Sequence, residues 1–464
     1  MKIPRIRPAA RLLGATFVVA VLAASAAFFY PAARANRPSA AQEKEAARAT
    51  DQSTSLNDQT DLNVTVYNSN IALVRDVRNL TLPSGTFRLK FMDIAATVNP
   101  ATVHFRSLTD PEKLGVIEQN YEYDLLEPAK LLHKYVGKEV TLVRTHQESA
   151  TTKYDEIKAT LLMSLENSGP RKQQVEASYL ANNLSWNADY VLTVARDDKN
   201  ADLDGWVTVT NNSGTGFHNA HLQLVAGELN RVQPPAPVPM VTHEMVAGRA
   251  AAPQFQQEAF SEYHLYTLGR KTSVEDKETK QISLLEGSGV PVEKLFVVNG
   301  QSYYYRNQQA PGAPLKDPVL VYYKFKNEEK NGLGIPLPAG NVRVYQKDSR
   351  GGILFAGEDR VNHTPRDEEI DIHIGNAFDV VAEHKQTDYK HVDTHTWEFE
   401  FEVTLRNHKD IPIVVQVNEP IGGEWEMLSS TYKYTKTAAF AAQFSVPVAK
   451  DGASVLKYRV RAKW

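Results

Sequence analysis

From Trp397 to Leu405 the chain reads Trp-Glu-Phe-Glu-Phe-Glu-Val-Thr-Leu, large apolar and polar side chains taking turns without a slip. A period of two matches a strand and no helix, because successive side chains of a strand point to opposite faces. Trp397, Phe399, Phe401, Val403 and Leu405 then share a face apolar enough for a sandwich core. Glu398, Glu400, Glu402 and Thr404 share the reverse, which should meet solvent. The same alternation recurs at Leu62, Val64 and Val66, at Val175, Ala177 and Tyr179, and at Leu222, Leu224 and Ala226. Between such runs stand turn formers, among them Pro83-Ser84-Gly85 and Asn211-Asn212-Ser213-Gly214. Twenty Tyr and 17 Phe suit pleated, half-buried surfaces. The expected fold class is all-β dominated, with a small α+β N-terminal domain over residues 62–165 followed by an antiparallel β-sandwich over 175–464. The α part is one short helix, Glu127 to Tyr135, with Pro128 at its first position, Leu131, Leu132 and Tyr135 as its apolar stripe, and Gly137 as its cap. Five prolines between Pro234 and Pro253 remove backbone donors, so 234–257 reads as a loop inside the sandwich.

The first residues carry a different message. Lys2, Arg5, Arg7 and Arg11 precede a run of 19 uncharged residues from Leu12 to Tyr30, and Ala33-Arg34-Ala35 offers a small-x-small cleavage site before Asn36. Nineteen residues suit a long signal core or a short membrane span, so 1–35 is either a cleaved signal peptide or a retained N-terminal anchor over 12–30. Both put the remainder in the periplasm or cell envelope. Losing 1–35 removes five positive and no negative charges, moving the net charge from −3 to −8. Such a chain is a poor ligand for nucleic acid or an anionic membrane. Residues 36–61 hold Leu56 as their one large aliphatic side chain and read as a disordered linker.

Several short segments, in order, resemble one bacterial family. They are Val66-Tyr67-Asn68, the run from Val116 to Leu126, Tyr135 to Val140, Ser178-Tyr179 before the run from Leu184 to Tyr190, and Asn418-Glu419-Pro420 before Trp425. Together they make the chain from Leu62 to Trp464 similar to proteins carrying the DUF4139 domain, found at the C-terminus of mucoidy-inhibitor-type proteins. The long coiled-coil insert of those relatives has no counterpart here, so a role tied to it does not carry over. The resemblance implies a β fold and an envelope address, and it implies no activity.

No cysteine is present, which excludes disulfides, thiolate metal sites and cysteine nucleophiles. The densest set of metal-ligand types is His384, Asp388, His391, Asp393 and His395. Of these, His391, Asp393 and His395 would share one strand face, a spacing zinc could use. The plainer expectation is a polar loop with ligand-type residues on its wet side. Glu118, Glu122, Asp124 and Glu127 could suggest glycoside hydrolysis, which needs two carboxylates opposed across a sugar. Local roles, such as acidic groups at a helix start, explain them as well. Ser185 lacks the flanking glycines of a nucleophile elbow, and Gly351-Gly352 and Gly422-Gly423 lack the lysine and serine of a phosphate loop. Leu456, Tyr458, Val460, Ala462 and Trp464 alternate with Lys457, Arg459, Arg461 and Lys463, as in the last strand of an outer-membrane barrel or a charge-protected sandwich edge.

The sequence therefore points to an exported, non-enzymatic envelope protein with a structural or binding role. Its expected partner is an envelope protein or surface polymer, with no cofactor, no nucleic acid, and membrane contact only through an uncleaved N-terminus. A metal-dependent or glycan-acting hydrolase of the envelope is the rival.

Overall fold

The computed structural model describes residues 51–122, 159–227, 229–230, 254–309 and 314–464. Among them the fold is built from strands, most of them antiparallel, and no helix reaches seven residues. The leader at 1–35, the helix expected at 127–135 and residues 234–253 of the Pro-rich loop lie outside the described residues, and no α+β character is seen in what is described of 62–165.

Two cores organise the strands. In the second core a six-stranded sheet runs Glu369–Asn376, Leu320–Lys326, Glu293–Asn299, Ile413–Glu419, Ala441–Val448, Tyr434–Ala438. It faces a five-stranded sheet in the order Leu315–Asp317, Val380–Asp393, Thr396–Asn407, Gly452–Lys463, Glu424–Ser430. Phe399, Phe401, Val403 and Leu405 are fully buried between them, so the alternation of the Thr396–Asn407 strand does face a core. Each such side chain contributes roughly 1.5–3 kcal/mol of apolar burial. Leu456, Tyr458, Val460 and Ala462 of the neighbouring strand fill the same interior.

The first core lies between a sheet that includes Phe217–Ala226, Gln59–Tyr67, Ile71–Thr81 and Lys172–Asn182 as successive neighbours and a second one built on Asn200–Asn211, Leu184–Val194 and Gly340–Lys347. A four-stranded sheet of Asp51–Thr54, Gly85–Met92, Thr160–Asn167 and Leu114–Glu122 closes one end. Trp186 is buried there and donates its indole N–H to the carbonyl of Val225 at 3.2 Å, so the polar edge of a large apolar ring stays satisfied.

Three expectations change. The division between 62–165 and 175–464 does not follow the cores. Ile71–Thr81 pairs with Lys172–Asn182 along its whole length, from Ile71 opposite Asn182 to Thr81 opposite Lys172. Gln59–Tyr67 pairs in parallel with Phe217–Ala226. Strand pairing over long sequence separation is invisible to a local reading, which sees the turn and not the partner. Second, the linker expected over 36–61 is ordered from Asp51. Asp51–Thr54 is too polar to advertise a core, yet it adds in parallel to Gly85–Met92 through backbone bonds that require no apolar side chain. Ser55 then caps a short turn, its hydroxyl accepting from the Asn57 N–H, before the Gln59–Tyr67 strand. Third, Gly452–Lys463 is no edge. It lies inside its sheet, between Thr396–Asn407 and Glu424–Ser430.

The basic residues of that strand have another task. Arg461 donates to Glu398 at 2.8 Å, and Arg459 donates to Glu400 at 2.7 Å and to Asp388 at 2.6 Å. Glu398 is only 7% exposed, so the outer face of this sheet is an ion ladder, not the open solvated surface its glutamates suggest. The Arg461 hydrogen bond in particular holds the Glu398 carboxyl below its ordinary value. Ile374 packs against both cores, and Asp198 adds a polar link between them. Asp198 accepts from Lys294 at 3.0 Å, from the Tyr323 hydroxyl, and from Gln346 at 2.6 Å.

Candidate functional site

The short turn Ser302–Tyr305 follows the Glu293–Asn299 strand and delivers two adjacent tyrosines, Tyr304 and Tyr305, into the second core. Both rings are buried against aromatic neighbours. Tyr305 packs edge-on to Phe399 and Phe401, and Tyr304 lies 4.6 Å from the His384 ring. Their hydroxyls reach two carboxylates. Tyr304 donates to Asp317 at 3.0 Å and Tyr305 donates to Glu419 at 2.7 Å. The Tyr458 hydroxyl lies 2.7 Å from that of Tyr305. One hydroxyl carries one proton, so with Tyr305 donating to Glu419 it is Tyr458 that donates to Tyr305.

His384 stands between the two carboxylates. Its Nδ1 is 3.4 Å from Asp317 and 3.8 Å from Glu419, and the imidazole and Glu419 are entirely buried. Both His384 nitrogens, Asp317 Oδ2 and Glu419 Oε1 lack a well-aligned hydrogen bond. Burial raises the Glu419 carboxyl above its ordinary value, against the opposing pull of His384. Burial and the neighbouring Glu419 push the Tyr305 and Tyr458 hydroxyls up, and burial with Asp317 does the same to Tyr304. At neutral pH the three tyrosines are therefore proton donors. Gly300 is required beside them, since a Cβ there would fall 2.1 Å from Glu419 Oε2.

In front of this network lies a cleft of about 370 Å³ lined by Tyr305, Arg306, Trp397 and Trp464. The two indoles meet edge to face at 5.4 Å and 62°. His391 stacks on Trp397 at 5.2 Å, and Phe399 braces Trp464 at 6.0 Å. Gly423, at φ +72°, lets the chain pass under Trp464. A Cβ there would meet the Lys463 carbonyl at 2.4 Å and the indole nitrogen at 3.1 Å. Trp464 is 46% exposed. Tyr305 belongs to both features: it lies in the lining of the cleft although fully buried, and its hydroxyl bonds Glu419 in the interior.

The ligand-type residues seen in the sequence do not come together. His384 points into the core, Asp388 pairs with Arg459, and His391 lies over Trp397. Asp393 accepts from the His395 N–H at 3.0 Å and so shapes the hairpin turn, and these bonds hold its carboxyl below the usual range. Among the described residues no group of three or more His, Asp or Glu side chains is arranged to hold a metal ion. Glu118 sits exposed on an edge strand, accepting from Asn120, and Asp124 and Glu127 lie outside the described residues. The sequence reading missed Tyr305, Asp317, Glu419 and Tyr458 as a set. The one usable signal was Asn418-Glu419-Pro420, where a carboxylate takes the place of an apolar residue on the face that Ile413, Val415 and Val417 share.

Fold and site together define a two-core β-sandwich protein whose second core encloses a tyrosine–carboxylate–histidine network beneath an aromatic cleft. The chain belongs to the DUF4139 family, described as a domain of unknown function, which it matches over residues 175–423. That segment starts inside the Lys172–Asn182 strand and stops one residue before the Glu424–Ser430 strand, so both cores draw strands from beyond it. No curated protein matches the chain.

Proposed function

We propose that this chain is a non-enzymatic protein of the bacterial envelope or periplasm, exported by its N-terminal segment, that binds an envelope component in the cleft of the second core. The observation that carries this reading is what faces the cleft: aromatic rings and a guanidinium. Glu419 and His384 are entirely buried behind Tyr305 and Tyr304 and have no surface on which to act on a substrate, and Asp317 beside them is only 8% exposed. A general acid or base must come within hydrogen-bond reach of the proton it moves. Aromatic rings with a polar rim are instead the composition of recognition sites. The basic leader, the apolar run Leu12 to Tyr30 and Ala33-Arg34-Ala35 support export, with Asn36 as the first residue after cleavage.

Cell fractionation with N-terminal sequencing tests the address, and incubation of the purified protein with isolated envelope tests the role. The reading expects an envelope or periplasmic protein that sediments with the envelope and releases no soluble fragments. A cytoplasmic protein beginning at Met1, or steady release of sugar or peptide fragments, would overturn it.

A further inference from the structure

We infer that the ligand of the cleft is an acidic sugar, a pyranose ring carrying a carboxylate. The inference rests on the cleft being the binding site. Trp397 and Trp464 stand at 62° to each other and form two walls of a corner, each in contact with another ring, His391 and Phe399 respectively. A rigid, half-exposed indole has little rotamer freedom to lose and offers a flat electron-rich face. The axial C–H groups on one side of a pyranose, which carry partial positive charge, match that face. Among the described residues no aliphatic side chain lines the cleft, as the pocket for a Leu or Val side chain of a peptide would require.

The third wall is Arg306, which ends the Ser302–Tyr305 turn and is exposed. Its guanidinium has no carboxylate within ion-pair distance among the described residues, whereas Arg459 and Arg461 are tied to Glu398, Glu400 and Asp388. An unpaired guanidinium beside stacked rings presents a planar fork for a carboxylate. Tyr305 cannot supply the polar contact, because its hydroxyl is turned inward to Glu419. The cleft thus asks for one flat ring face and one anionic group held on the same small unit. A volume of about 370 Å³ is at the lower end for small-molecule sites, which suits a short saccharide. Polyphosphate backbones fit poorly, since the chain as a whole carries net negative charge and, among the described residues, Arg306 is the one cation lining the cleft.

The test titrates the purified full chain with trigalacturonic acid and with its fully methyl-esterified form, which keeps the rings and removes the charges. Isothermal calorimetry and tryptophan fluorescence report binding. The acid should bind at least tenfold tighter than the ester, Arg306→Gln should bring the acid down to the level of the ester, and Trp464→Ala should abolish both. Far-ultraviolet circular dichroism confirms that each variant is folded. Equal binding of acid and ester would overturn the role of Arg306. Binding of neither, with sedimentation on envelope still lost in Trp464→Ala, would overturn the sugar and leave the cleft as a binding site for another ligand. Binding of neither, with sedimentation unchanged in Trp464→Ala, would overturn the cleft itself.

Discussion

Replacing Tyr305 by Phe removes one oxygen from the centre of the second core and leaves the ring contacts with Phe399 and Phe401 in place. What is lost is the donor at 2.7 Å to Glu419 and the acceptor at 2.7 Å for Tyr458. The size of the loss depends on the charge of Glu419, whose folded value is raised above 4.5 by burial. Below 4.5 the carboxyl is neutral folded or unfolded, and its preference for the proton contributes stability in full. As pH climbs from there through the raised folded value that contribution is lost, so the fold holds an ionised carboxylate with few donors. A hydrogen bond to a neutral acceptor is worth about 0.5–1.5 kcal/mol and one to an ion about 1.5–3 kcal/mol. Tyr305→Phe should therefore cost about 1 kcal/mol near pH 4, where Glu419 is neutral, and about 2–3 kcal/mol at a pH above its raised folded value, where it is ionised. Urea unfolding followed by circular dichroism at both pH values gives the two differences directly. A variant that loses the same amount at both pH values, or is more stable at the higher one, would refute the network as described.

Three further outcomes follow from the same geometry. Glu419→Gln keeps an acceptor for Tyr305 and adds amide donors beside Asp317 and His384, so it should flatten the fall in thermal stability as pH rises through the raised Glu419 value; a fall as steep as the parent's speaks against a raised Glu419. A chain cut to 175–423 lacks Gln59–Tyr67 and Ile71–Thr81 from the first core and Gly452–Lys463 from the second, and should show no cooperative unfolding transition; a sharp transition in calorimetry would mean the family segment folds alone. Elemental analysis of the purified protein should find zinc well below one per chain, and His395→Ala should leave its amount unchanged; stoichiometric zinc lost in that variant would restore the hydrolase reading.

What the sequence made legible was direction within a strand. The faces of Thr396–Asn407, of Leu62, Val64 and Val66, and of Val175, Ala177 and Tyr179 all point where a period of two requires. Partnership was not legible. Nothing local to Asp51–Thr54 reveals that Gly85–Met92 will accept it, and nothing in Lys172–Asn182 names Ile71–Thr81. Charge was misread for the same reason. Glu398 alternates like a solvated residue and is covered because Arg459 and Arg461 arrive from a strand some sixty residues later. The site fared worst, since Tyr305, Asp317, His384, Glu419 and Tyr458 come from five separate segments. His384 stood in the sequence among Asp388 and His391, yet alternation along Val380–Asp393 and its bulge send these residues to different surroundings.

The most direct test of a binding cleft on a stable core compares Trp464→Ala with the parent in two readings from one preparation, the fraction that sediments with isolated envelope and the urea midpoint. Trp464 is half exposed, so the midpoint should move only slightly while sedimentation falls to background. Sedimentation equal to that of the parent, with the variant folded, would contradict the account.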